Sequence, residues 1–211
     1  IFWLQLLNIR IYFIKTFNYG VHMFVFKKKY YLIINNTKDI NLNNFIRNKK
    51  FIIIYRNINK PENFETIINF RKKCRTHGIL FFVANNIELC KSTRADGAYI
   101  SAYNRSFKFL NLTKLNLKLI GSAHNIRELN MKIKQGCSEI IFSKLFKIDY
   151  DPKAPVLGVV KFNNLINMHT NIIPLGGIKI NNLNKLRMIR SSGFAIMSEI
   201  KKKPAISNRL F

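Results

Sequence analysis

Acidic side chains are scarce in this chain of 211 residues, in which 10 Asp and Glu stand against 36 Lys and Arg. The formal net charge of +26 can indicate a partner that carries phosphate groups, such as nucleic acid. The basic residues are nevertheless scattered in short clusters over different predicted elements, without one aromatic-lined stripe. We therefore expect no nucleic-acid partner, and attribute the charge to the joint enrichment of Lys, Asn, Ile and Phe that is typical of an AT-rich genome.

Cysteine is also rare, and this limits the redox and metal chemistry that the chain can carry. Its 3 cysteines, Cys74, Cys90 and Cys137, are widely spaced and show neither a disulfide pattern nor the spacing of metal ligands. Such residues are typical of buried thiols in a reducing compartment, so we predict a cytoplasmic protein.

Long apolar runs are missing as well. The run from Ile1 to Ile9 is interrupted by Arg10 and Lys15 before it reaches the roughly 20 residues that a membrane span needs. It also lacks the charge order and cleavage site of a signal peptide. We expect no membrane partner, with an amphipathic helix on a membrane surface as the alternative.

The amino-terminal segment does not share the pattern of the rest. The chain begins with Ile, and Met23 is the start that we expect. The sequence thus divides into a leader outside the fold over residues 1–22, a single folded domain over 23–203 and a tail over 204–211.

Glycine is infrequent, yet two of the 9 glycines are adjacent. Gly176 and Gly177 end the apolar run that begins at Ile172, and such a loop exposes backbone N–H groups that can hold a phosphate. A second apolar run, from Gly193 to Met197, ends beside Ser198. Two loops of this kind on neighbouring strands predict a phosphate site, with a plain tight turn as the alternative at the glycine pair.

Eight short apolar runs alternate with segments of helical period. The runs are almost continuous in Ile, Val, Phe and Leu, as expected of parallel strands that are covered on both faces. The predicted strands are Tyr30 to Ile34, Phe51 to Tyr55, Ile79 to Val83, Gly97 to Ile100, Leu117 to Gly121, Glu139 to Phe142, Ile172 to Leu175 and Gly193 to Met197. This order predicts an α/β fold, a compact (β/α)8 TIM barrel, in preference to an open doubly wound sheet.

A barrel of this kind carries its chemistry at the carboxyl ends of its strands. The residues at these predicted ends are Arg56, Asn85, Asn86, Tyr99 to Asn104, Ser122, His124, Ser143, Lys144, Gly176, Gly177 and Ser198.

These strand ends resemble those of the thiamine phosphate synthase and TenI family, from about Tyr30 to Ile200. Ser122-Ala123-His124 is similar to the Ser-x-His strand end of the family, and Ile173 to Ile178 is similar to its Gly-Gly-Ile phosphate loop. Further similar segments are Ala95 to Ile100, Pro155 to Gly158 and Gly193 to Ile200. The resemblance implies phosphate binding by Gly176, Gly177, Ser198 and Gly158.

The resemblance also implies a reaction. The synthase of this family joins a pyrimidine methyl diphosphate to a thiazole phosphate and releases pyrophosphate, whose growing charge must be neutralised. Arg56, Lys60 and Lys153 would bind the diphosphate in this chain. Asn85 and Asn104 stand where the two Mg²⁺-binding aspartates are expected, and an amide brings no charge, so we predict a weak Mg²⁺ site.

His124 is the histidine with the most informative context. It lies where TenI-type tautomerases have an acid/base histidine, and a neutral imidazole suits a proton transfer that aromatises a thiazole. Together with Ser122 and Arg56 it forms the predicted catalytic set, the alternative being a structural histidine that binds a loop carbonyl.

Three functions are therefore open. The first is a synthase-type transferase with eroded metal ligands, which needs Mg²⁺ if synthase activity is retained. The second is a TenI-like thiazole tautomerase without a metal. The third is a non-catalytic binder of thiazole phosphate. All three have small phosphorylated molecules as partners, and a homo-oligomer is compatible with each.

Overall fold

The computed structural model describes residues 29–45, 50–57, 62–149, 151, 153–169 and 171–197. The predicted leader over 1–22, Met23, Lys60, Ser198 and the tail over 204–211 lie outside the described residues.

Eight parallel strands close into one barrel in chain order, which confirms the predicted (β/α)8 fold. The strands are β1 (Lys29–Ile34), β2 (Phe51–Tyr55), β3 (Leu80–Ala84), β4 (Gly97–Ile100), β5 (Lys118–Ala123), β6 (Glu139–Ser143), β7 (Ile172–Leu175) and β8 (Gly193–Ile196). Closure is direct, because Tyr31 of β1 pairs with Ala195 of β8. The predicted bounds of β2, β4 and β7 are those observed, and the bounds of the other strands differ by at most two residues. The extension of β5 to Ala123 places Ser122 inside the strand.

Six α-helices connect the strands in the described residues. They are α1 (Phe64–Thr76), α2 (Ile87–Ser92), α3 (Leu110–Thr113), α4 (Ile126–Lys134), α5 (Gly158–Met168) and α6 (Leu183–Arg187). Asparagine begins three of them: the side chains of Asn63, Asn86 and Asn125 each accept a hydrogen bond from a backbone N–H of the first turn. The asparagine side chains thus accept hydrogen bonds from backbone N–H groups of the first turn, which have no acceptor within the helix.

Strand side chains alternate between two apolar cores. One core fills the barrel, and the other lies between the strands and the helices. On β2 the side chains of Ile52 and Ile54 fill the barrel, and on β6 that of Ile141 does so. Because the period of a strand is two residues, Arg56 and Ser143 continue these inward rows at the carboxyl end.

The amino-terminal end of the barrel holds polar contacts of a structural kind. Glu139 forms an ion pair with Lys29 and accepts a hydrogen bond from the Tyr31 hydroxyl at 2.7 Å. Asp96, which precedes β4, accepts from the Phe81 backbone N–H at 2.7 Å and pairs with Arg71 at 2.9 Å. None of the helices described is long and apolar enough to cross a bilayer.

Candidate active site

A cavity of about 140 Å³ opens at the carboxyl ends of the strands. It brings together four of the predicted site residues, Arg56, His124, Gly176 and Gly177. Its remaining lining residues are Ser143, Lys144, Ile148, Leu175, Ile178, Ala195, Ile196 and Met197.

The glycine loop forms one wall of this cavity. Gly176 and Gly177 have φ angles of 102° and 65°, which favour glycine. In the part of the chain that the structure describes, the N–H groups of Gly177 and Ile178 have no hydrogen-bond acceptor. A 3-10 turn (Ile180–Asn182) follows the loop before the short helix α6, so the loop itself offers its donors to an anion.

Ser143 and His124 form a second wall. The Ser143 Oγ atom lies 2.6 Å from the His124 Nδ1 atom, within hydrogen-bond distance. The backbone N–H of His124 donates to the Glu128 carboxylate at 2.7 Å, just before α4 begins. Strand-end reasoning placed Ser143 on this face of the barrel, but it did not identify its pairing with His124.

Arg56 supplies positive charge between the cavity and the barrel interior. Burial raises the pKa of Tyr99, whose phenol lies inside the barrel, while the Ser122 hydroxyl and the Arg56 guanidinium oppose that shift. Ser122 is 7% exposed and is not a lining residue of the cavity. Of the predicted catalytic residues, the structure therefore places Arg56 and His124 at the cavity and Ser122 beneath it, beside Tyr99.

Lys144, one of the predicted strand-end residues, is a second cation at the cavity, although it was not among the residues expected to bind the diphosphate. Its Nζ atom lies 2.9 Å from a carboxylate oxygen of Asp151. Lys153 is exposed and, like Gly158, does not line the cavity. Its position at a strand end, directly after Ser143, predicts Lys144 on this face of the barrel, but does not assign it a role toward the diphosphate.

Asn85 and Asn104 lie together, as predicted, but they are bonded to each other. The Asn104 side-chain N–H donates to the Asn85 side-chain oxygen at 3.1 Å, and the Ser101 backbone N–H donates to the same oxygen at 3.0 Å. The Asn104 side-chain oxygen accepts from the Ser106 backbone N–H at 2.9 Å. The side-chain N–H groups of Asn85 donate to the hydroxyls of Ser101 and Tyr103.

This donor set does not suit Mg²⁺. A hard cation is bound best by oxygen ligands that carry charge and are free to coordinate, whereas these two amide oxygens are neutral and already accept N–H groups. Within the described ranges, no cluster of three or more His, Cys, Asp or Glu side chains could hold a metal ion.

Lys132 contacts the backbone of this network, and no sequence pattern indicates it. Its side chain on α4 is fully buried, and its Nζ atom donates to the Asn104 carbonyl at 2.6 Å and to the Gln135 side chain at 2.9 Å. Burial lowers the pKa of this ammonium group. Gly121 leaves room for the lysine, since a Cβ atom there would lie 2.9 Å from the Lys132 side chain.

Comparison with known proteins gives relatives of low identity. A thiamine-phosphate synthase from Prochlorococcus marinus subsp. pastoris is 27% identical over 146 residues, which cover 66% of this chain and 40% of that protein. One from Methanococcus vannielii is 24% identical and is matched over 67% of this chain and 69% of its own length. The chain thus covers well under half of the length of some relatives, for example 37% of the length of a second thiamine-phosphate synthase from Prochlorococcus marinus.

Solved structures support the same fold. The thiamine phosphate pyrophosphorylase from Pyrococcus furiosus superposes with a TM-score of 0.71 at 19% identity, over 88% of this chain and 94% of that one. The phosphoribosyl anthranilate isomerase from Thermotoga maritima superposes with a TM-score of 0.62 at 9% identity, over 86% of this chain and 96% of that one. The family model for thiamine monophosphate synthase matches residues 26–200, and with the barrel and the phosphate-type loop in place this chain belongs to the thiamine monophosphate synthase family.

Proposed function

We propose that this protein acts in thiamine biosynthesis as a synthase-type transferase that joins a pyrimidine methyl diphosphate to a thiazole phosphate. The observation that carries the proposal is a cavity in which the glycine loop meets two cationic side chains, Arg56 and Lys144. The loop N–H groups suit the phosphate of the thiazole, and the cations suit a diphosphate.

In this scheme Arg56 and Lys144 take the role that Mg²⁺ has in the synthase of the family. When the bond between the pyrimidine methyl carbon and the diphosphate breaks, negative charge grows on the leaving oxygen. Arg56 and Lys144 stabilise that charge, and the thiazole nitrogen forms the new bond to carbon. The bonded amides of Asn85 and Asn104 provide no step in this scheme.

Two measurements test this proposal. Calorimetric titration with thiazole phosphate is expected to show binding without any metal. Turnover with both substrates is expected to persist in a chelator and to fall roughly 100-fold or more in Arg56→Gln, since preorganised charge contributes at that scale. As a control, Lys73→Gln alters an exposed cation on α1 and is expected to leave turnover intact. Turnover that vanishes with the chelator contradicts the metal-free scheme.

A second function is favoured by one specific observation, the contact of 2.6 Å between Ser143 and His124. A histidine held in place beside a phosphate loop can move the proton that converts a thiazole tautomer into its aromatic form. In that case His124→Gln lowers the isomerisation rate by about 100-fold or more. Thiazole phosphate that binds without either activity indicates the non-catalytic binder.

A further inference from the structure

We propose that Ser143 is a positioning residue, which holds the neutral His124 imidazole as the Nε2–H tautomer and so leaves an N–H donor for a bound ligand. This inference deepens the proposed function and rests on it only for the ligand, because the state of the ring can be measured without one.

Strand register brings the two side chains together. Ala123 of β5 pairs with Phe142 of β6, so the next residues along the two strands are His124 and Ser143. Ser143 continues the inward row of Ile141, and it is 7% exposed. The 2.6 Å contact between Oγ and Nδ1 therefore follows from backbone pairing, and does not depend on a long flexible side chain.

The direction of the hydrogen bond follows from which partners are present. A hydroxyl has one proton to donate, and a neutral imidazole has one N–H and one acceptor nitrogen. Among the described residues, His124 Nδ1 is the only hydrogen-bond partner of the Ser143 side chain. If Nδ1 carried the proton, the hydroxyl proton would have no protein acceptor among the described residues, which is unfavourable for a side chain that is only 7% exposed. The hydroxyl thus donates to Nδ1, and the ring proton resides on Nε2.

A second anchor fixes the backbone of the same residue. The His124 N–H donates to Glu128, whose own backbone N–H donates to the Asn125 side chain at the start of α4. The imidazole is therefore held at Nδ1 and at its own backbone, while within the described part of the chain Nε2 has no partner. Because His124 lines the cavity with Arg56 and Lys144, the donor at Nε2 adds to a site for an acceptor-rich, anionic ligand.

Nitrogen-15 NMR of the imidazole, recorded on the ligand-free protein at alkaline pH, tests the assignment. Loss of one signal in His124→Gln identifies the ring. In the wild type we expect the Nδ1 shift of an unprotonated nitrogen. In Ser143→Ala the ratio of the two tautomers is expected to change by about fivefold, the factor that corresponds to a hydrogen bond of about 1 kcal/mol.

Matched variants separate the contact from a general loss of order. Ser122→Ala removes a hydroxyl of equal exposure, 7%, from the neighbouring strand and is expected to leave the His124 signal unchanged. Ser143→Thr keeps a hydroxyl and is expected to give the wild-type signal. Identical spectra for Ser143→Ala and Ser143→Thr, or a wild-type Nδ1 that carries the proton, overturn the assignment. Absence of turnover with thiazole substrates contradicts the proposed function alone.

Discussion

Gly177 must meet two separate requirements. Its φ of 65° favours glycine, and a Cβ atom there would lie 2.3 Å from the Lys147 carbonyl and 2.6 Å from the Phe146 carbonyl. The glycine therefore permits the β6 loop to lie against the phosphate-type loop. The sequence predicts phosphate binding, or a plain tight turn, at this glycine, and the packing of the two loops is an additional reason for its presence.

Substitution at Gly177 is expected to cost stability as well as phosphate binding. In Gly177→Ala, the left-handed backbone costs about 1–2 kcal/mol and the collision with the β6 loop about 1–3 kcal/mol more. Urea unfolding measures the sum as a fall in the free energy of unfolding.

Gly158→Ala is the matched control. Gly158 has a similar φ of 67°, but a Cβ atom there meets no other atom within 4 Å. Its cost is therefore the backbone term of about 1–2 kcal/mol alone. Equal losses in the two variants would show that the β6 loop does not press on Gly177.

The two amides of Asn85 and Asn104 support a prediction about Mg²⁺. In the double variant Asn85→Asp with Asn104→Asp, two carboxylates replace a hydrogen-bonded pair whose atoms lie 3.1 Å apart, so the charges repel each other. Without metal, we expect the melting temperature of the double variant to lie below that of the wild type. Millimolar Mg²⁺ is expected to raise the melting temperature of the double variant, since a ligand that binds the folded state stabilises it.

The wild-type melting temperature is expected to be insensitive to Mg²⁺ at the same ionic strength, with Na⁺ as the matched salt. A wild type that Mg²⁺ stabilises as much as the double variant would show that the amides, or residues outside the described ranges, already bind the metal.

At the scale of elements, helix α4 shows where periodicity succeeds and where it fails. The spacing of Ile126, Leu129 and Ile133, which lie three and four residues apart, predicts that all three face the core. Leu129 is buried, but Ile126 and Ile133 are about half exposed at 48% each, and Lys132 is fully buried instead. A lysine inside a helix packing face cannot be predicted from hydropathy, because it depends on a carbonyl partner, Asn104, in a different β/α unit.

Lys132 gives the fold a pH dependence with a definite sign. Its folded pKa is lowered by burial, so the unfolded chain binds more protons between that value and the ordinary lysine pKa of about 10.4. The contribution of this residue to stability is therefore complete above about pH 10.4 and decreases as the pH falls through the folded value. We expect the free energy of unfolding of the wild type to rise with pH relative to Lys132→Met.

The comparison with Lys132→Met removes the effects of other groups that titrate at high pH, such as buried tyrosines and cysteines. The variant keeps an unbranched side chain, and Gln135 still donates to the Asn104 carbonyl at 3.1 Å. Parallel slopes for the two proteins between neutral pH and pH 10 would contradict the assignment of a lowered pKa to Lys132.

At the scale of the whole molecule, the barrel could be predicted because its signals are local. Continuous apolar runs and short connections determine each β/α unit, and the units close into a ring. The arrangement of the site depends on atoms from separate units. Examples are the Ser143 contact with His124, the hydrogen-bonded amides of Asn85 and Asn104, and the ion pair of Lys144 with Asp151. The spacing of these residues in the sequence does not predict the distances between their side chains.

The few acidic residues follow a common pattern across the molecule. In the described ranges most of them make structural contacts with a cation or with backbone N–H groups: Asp39, Glu62, Asp96, Glu128, Glu139, Asp149 and Asp151. Two of these carboxylates contact residues of the cavity lining: Asp151 pairs with Lys144, and Glu128 accepts from the His124 backbone N–H. None of the described residues that line the cavity is itself acidic. The scarcity of carboxylates thus agrees with a cavity whose charge is positive.

A net charge of +26 also makes the stability of the fold depend on salt. Like charges repel each other more in the compact state than in the open chain, and screening shortens their reach from about 30 Å at 0.01 M to about 8 Å at 0.15 M ionic strength. We expect KCl to raise the melting temperature over this range by roughly 3 °C or more, about 1 kcal/mol for a chain of this size.

Phosphate at equal ionic strength separates this screening from binding at the cavity. Inorganic phosphate is expected to raise the melting temperature above the value in KCl, because under the proposed function the loop at Gly177 and the Arg56 side chain, which line one cavity, bind it in the folded state only. The additional rise is expected to disappear in Arg56→Gln, whereas the rise with KCl stays, since one charge changes little of the total. An additional rise of equal size in both proteins would mean that phosphate acts through the general surface, and the cavity would not be its site.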